Sequence, residues 1–93
     1  SLPHNLILCT PGKKKGGDGG QEVIDAVLKL GDKGVEMDWE PKEHPRILAS
    51  SGMVQPGNET TFYFKVPEVE GDYPYICTFP GHYQVMRGKI IVE

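Results

Sequence analysis

Residues 77–88 read C-T-F-P-G-H-Y-Q-V-M-R-G. A thiol, an imidazole and a thioether stand there in that order, at Cys77, His82 and Met86. The flanks are strand-like. Asp72–Cys77 puts Tyr73, Tyr75 and Cys77 on one face, and Lys89–Val92 (K-I-I-V) closes the chain as a last strand. Pro80 and Gly81 mark a tight connection between them. Such a loop brings its donors to one point with little conformational entropy to lose. It cannot surround an ion alone, so a further donor must come from another segment. His4, beside Asn5 at the head of an apolar run, is the candidate.

Working outward, Leu2–Thr10 reads as a strand covered on both sides, with Leu6 and Leu8 on one face and Ile7 and Cys9 on the other. Pro11 and Gly12 end it. The stretch 12–20 is a Gly- and Lys-rich loop without the spacing of a phosphate-binding loop, and its Lys13–Lys15 run is a solvated patch. Gln21–Leu30 carries Val23, Ile24, Val27 and Leu28 at helical spacing, with Gly31 as a stop. Asp32–Arg46 is polar loop, and Ile47–Val54 holds short extended pieces. Pro56-Gly57-Asn58 is a turn. Glu59–Val66 alternates, with Phe62, Phe64 and Val66 facing one way, and is predicted to be a strand. Short strands separated by turns, with one inserted short α-helix, predict an all-β fold, a β-sandwich.

A chain of 93 residues with net charge −3 is one domain, residues 1–93. That charge gives no electrostatic case for nucleic acid. No run approaches the ~18 apolar residues of a membrane span. Two cysteines permit one disulfide at most; Cys9 lacks the metal-ligand neighbours of Cys77 and reads as a thiol.

Two imidazoles, one thiolate and a weak axial thioether are the ligand set of a mononuclear blue-copper site. His4, Cys77, His82 and Met86 supply it. The thiolate is tuned by hydrogen bonds to its sulfur. Pro80 has no N–H to give, and the backbone N–H groups of Asn5 and Phe79 are the candidates. The Asn5 side chain is placed to tie the His4 strand to the ligand loop. His44 reads as an exposed loop histidine, Met37 and Met53 as packing residues, and Trp39 as a loop anchor or a docking residue.

The pattern C-T-F-P-G-H-x-x-x-M-R-G with H-N upstream resembles the azurin branch of the cupredoxins, type 1 blue-copper proteins of the plastocyanin/azurin family. The resemblance covers roughly residues 2–10 and 55–93. It implies a Greek-key β-sandwich and one type 1 copper per chain. His4, Cys77 and His82 would be the equatorial ligands, Met86 the axial one, and the Pro3 carbonyl a weak further axial contact. Asn5 and Phe79 would be the thiolate's hydrogen-bond donors. Gly71-Asp72-Tyr73 resembles a tyrosine corner. In the family the first histidine follows one or more complete strands. The expectation is therefore that N-terminal strands are missing, that this is a piece of a longer chain, and that an exposed sheet edge invites self-association.

The implied function is one-electron transfer, not catalysis. Electrons would pass through the edge of His82 across a patch formed by Pro80, Tyr83, Val85 and Leu2. The partner would be a cytochrome or a copper or haem enzyme, met transiently. The resemblance also implies a periplasmic or extracytoplasmic home. The alternative is a metal-free or zinc-loaded interaction domain of a larger redox protein, since affinity alone does not exclude zinc. A domain of a multicopper enzyme fits less well: Ile76 and Thr78, not histidines, flank Cys77, and only His44 is spare. A cysteine hydrolase built on Cys77 and His82 has no orienting acid nearby.

Overall fold

The computed structural model describes residues 2–11, 19–41, 43–83 and 85–93. Among them the strands are β1 (Ile7–Cys9), β2 (Ile47–Ser50), β3 (Gly71–Ile76) and β4 (Arg87–Val92), with one α-helix, α1 (Gly19–Leu30). The strands form one antiparallel sheet in the order β2-β1-β3-β4.

Strand β1 is central and wholly buried, as its unbroken apolar run requires. Ile7 pairs with Ser50 on one side and Ile76 on the other, while Leu8 pairs with Ala49 and Tyr75. A one-residue register shift falls between Leu8 and Cys9 on the β2 side, leaving Leu48 as the extra residue, 47% exposed.

Helix α1 follows from its periodicity. Val23, Ile24 and Val27 are buried on one stripe and meet Ile7, Cys9 and Ile76 of the sheet. Burial of each such aliphatic side chain contributes about 1.5–3 kcal/mol. Glu22 in the first turn and Lys29 in the last suit the helix dipole. Gln21 donates to Asp25 one turn on, at 3.0 Å. Gly31, at φ 55°, turns into the left-handed region and ends the helix where the sequence places the stop. A 3-10 turn, Gly31–Gly34, follows. The helix begins two residues before the predicted Gln21, because Gly19 and Gly20 join it. The Lys13–Lys15 patch lies outside the described residues.

The predicted strand Glu59–Val66 does not form: residues 59–67 have no regular structure, and Tyr63 is 91% exposed. Alternation alone does not make a strand; it needs a neighbour to take its backbone hydrogen bonds. Among the described residues no strand pairs with this one, although Leu48 and Ala49 of β2 line a shared cleft with residues 63–68. The tyrosine corner is present: the Tyr73 hydroxyl donates to the Val69 carbonyl at 2.6 Å, bracing the entry to β3.

Candidate metal centre

Strand β3 ends at Ile76 and β4 begins at Arg87, so the connection 77–86 carries Cys77 at one end and Met86 at the other. The Cys77 N–H donates to the Met86 carbonyl at 3.1 Å and closes the loop at its base. Inside, the His82 N–H donates to the Phe79 carbonyl at 3.0 Å. The Met86 N–H then donates to the His82 carbonyl at 2.7 Å, a single helical turn. One such turn sets His82 and Met86 four residues apart on one face. Gly81 has φ 87°, which only glycine adopts without strain, and turns the loop just before His82.

His4 comes from outside the loop. Its N–H donates to the Val54 carbonyl at 3.0 Å and its carbonyl accepts from Val54 at 2.7 Å, an isolated antiparallel bridge ahead of β1. The next residue locks the two segments together. Asn5 Nδ2 donates to Thr78 Oγ1 at 2.8 Å, and Asn5 Oδ1 accepts from the Thr78 N–H at 2.8 Å. Both residues are buried. The Asn5 tie read from the sequence is thus present. Its partner is Thr78, the residue that follows the cysteine.

The ligand atoms of His4, Cys77 and His82 all lie within 4.8 Å of one another. Cys77 Sγ is 3.5 Å from His82 Nδ1. Donors about 2.0–2.3 Å from one ion, at trigonal to tetrahedral angles, stand about 3.5–3.8 Å apart. Thiolate and imidazole at that spacing fit a soft or borderline metal. Cys77 is 3% exposed, His82 is half-buried and His4 is exposed, so the cluster is dry on the sulfur side and open at the histidines. The two imidazoles stack, with centroids 4.6 Å apart. Met86 is 40% exposed and lines the same cleft as Asn5 and Cys77. Pro3, next to His4, is half-buried.

Other residues divide clearly. Cys9 and Cys77 are each buried as thiols, not joined in a disulfide. His44 is half-buried rather than exposed; its Nδ1 accepts from the Arg46 N–H at 3.1 Å, and it takes no part in the donor cluster. Of the proposed docking residues, Leu2, Pro80 and Val85 are exposed, whereas Tyr83 is half-buried and packs against the core. Phe79 sets its ring against His82, with centroids 5.0 Å apart.

The family described as copper binding proteins, plastocyanin/azurin family, matches residues 1–93. Auracyanin-A of Chloroflexus aurantiacus is 34% identical over 90 residues, covering 97% of this chain and 51% of its own length. Outer membrane protein H.8 of Neisseria gonorrhoeae is 29% identical over 91 residues, covering 97% of this chain and 44% of its own length. The chain thus spans about half the length of the curated relatives it matches. The solved structure of auracyanin A, a "blue" copper protein from Chloroflexus aurantiacus, superposes with a TM-score of 0.76 at 32% identity, covering 99% of this chain and 68% of that one. The sheet and helix seen here therefore have the sandwich fold of that protein.

Proposed function

The chain belongs to the plastocyanin/azurin family of copper-binding proteins, and from that premise we propose that it holds one copper ion between His4, Cys77, His82 and Met86 and carries single electrons. The observation that supports this most is the convergence of one thiol and two imidazoles, drawn from opposite ends of the chain, within 4.8 Å. Bound copper supplies a one-electron couple; the rest is the work of the side chains. Cys77, held at the end of β3 and screened from water, gives the thiolate. His4 and His82 give the imidazoles. Met86, four residues beyond His82, offers the weak axial sulfur. In this reading the Pro3 carbonyl would add a distant contact, and the Asn5 and Phe79 N–H groups would hydrogen-bond the sulfur. Were the fold to hold all four donors around the ion, little would have to move when the charge on the metal changed.

The half-buried His82 is the exit for the electron, and exposed Leu2, Pro80 and Val85 form the apolar rim a redox protein would meet. Such a partner needs only a small, short-lived interface. Among the described residues no helix is long and apolar enough to cross a membrane. A relative named as an outer membrane protein is in keeping with an extracytoplasmic, periplasmic setting.

Titration with Cu(II) tests the reading. An intense visible thiolate-to-copper band should grow and saturate at one ion per chain. Cys77→Ser should abolish it, and Cys9→Ser should leave it. A colourless adduct, or loss of colour in the Cys9 variant alone, overturns the assignment.

A further inference from the structure

We propose that Trp39 is a positioning residue for the metal centre: its indole braces Phe79, and Phe79 in turn fixes the ring plane of His82. The proposal rests on the copper reading given above and adds a residue from outside both ligand segments. Trp39 is the single tryptophan of the chain. It sits in the connection after α1 and is tied back to the 3-10 turn, its N–H donating to the Gly34 carbonyl at 2.8 Å. The indole lies so close over Gly34 that a Cβ there would collide with its six-membered ring. The next residue is also anchored, Ser50 Oγ donating to Glu40 Oε1 at 2.7 Å. The backbone that carries the indole is therefore tied on both sides of Trp39.

From there a run of rings leads to the donors. The indole and Phe79 meet edge to face, with centroids 6.5 Å apart at 75°. Phe79 and His82 follow at 5.0 Å and 41°, and His82 and His4 at 4.6 Å and 23°. The torsion that orients an imidazole is broad and soft, so a ligand histidine takes its plane from its neighbours. Phe79 is such a neighbour, but it lies in a loop and needs a support of its own. Trp39 supplies one, and edge-to-face contact gives it direction as well as bulk. The backbone points the same way. Asp38 and Trp39 both have positive φ, 51° and 58°, which L residues seldom adopt. Such conformations persist where the surroundings over-determine them, and they cluster at working sites.

The test compares Trp39→Ala, Trp39→Phe and Phe79→Leu, each checked by circular dichroism for an intact fold. In the metal-free protein, NMR should show the His82 ring protons displaced in Trp39→Ala and Phe79→Leu and restored in Trp39→Phe. In the copper form, Trp39→Ala should give up the ion to a chelator about tenfold more readily, the lower end of what loss of a ligand-orienting group costs. Its electron paramagnetic resonance spectrum should change as well, and Trp39→Phe should stay close to the parent in both. If Trp39→Ala does not fold, Trp39→Leu replaces it, and Phe79→Leu must still move the His82 signals. A blue, folded Trp39→Ala protein with unaltered His82 resonances, spectrum and chelator resistance would reduce Trp39 to ordinary packing. Failure of the parent protein to bind copper would overturn the copper reading instead, while the metal-free NMR comparison would still decide the bracing.

Discussion

Asn5→Ala should be the most damaging single change outside the ligands. Asn5 makes paired hydrogen bonds to Thr78, both 2.8 Å, across a sequence separation of 73 residues. Thr78 is wholly buried, so water cannot replace what is lost. The side chain–side chain bond contributes about 1 kcal/mol, and the orphaned Thr78 N–H costs about 1–3 kcal/mol more. The sum is a loss of about 2–4 kcal/mol, or at least about 8 °C in melting temperature for a domain of this size. Asn5→Asp is the control. It keeps the acceptor for the Thr78 N–H, and the threonine hydroxyl can rotate to donate to the second oxygen. Urea unfolding of the metal-free proteins measures both. If Asn5→Ala loses less than about 0.5 kcal/mol, the value of an ordinary surface substitution, the two segments are not held by this clamp.

Gly81→Ala meets no atom within 4 Å, so its cost is backbone strain alone at φ 87°. It should destabilise by about 1–2 kcal/mol in chemical unfolding. Tyr73→Phe removes the hydroxyl that donates to Val69, and should lower stability by about 0.5–1.5 kcal/mol in the same assay while the copper band is unchanged. Gly88→Ala would place a methyl 2.5 Å from the Tyr75 hydroxyl oxygen. Calorimetry should show a loss of about 1–3 kcal/mol as the ring is displaced.

The ligand loop was legible because its chemistry is local. Three donors, a proline and a glycine within ten residues leave few other readings, and the strand–loop–strand frame followed from the alternation on either side. Helix α1 was legible for the same reason, its apolar stripe and its Gly31 stop both being short-range signals. Glu59–Val66 was misread because alternation records what a segment would bury in a sheet, not whether its backbone pairs with a neighbouring strand. The contacts of Thr78 and Trp39 were not legible for a third reason. The importance of each lies in a contact with a residue far along the chain: Asn5 for Thr78, Phe79 for Trp39. Tyr83, read as a docking residue from its place in the loop, is turned inward by the helical turn that sets His82 and Met86.

The two ways of weakening the centre should separate on measurement, and that separation bears on how the fold serves the metal. An ion that binds only the folded chain stabilises it by mass action, so copper raises the unfolding midpoint of any variant that still holds it. Asn5→Ala removes a contact that holds two segments together with or without metal, so it should lower the stability of the metal-free protein first. Trp39→Ala removes support from one imidazole whose plane matters most once the ion is bound. It should lower copper affinity by more than its effect on metal-free stability accounts for. The difference between unfolding midpoints with and without copper therefore distinguishes a clamp on the scaffold from a brace on a ligand. If both variants lose the same share of the copper-dependent increment, the donors are held as a single unit, and no residue behind them has a separate role.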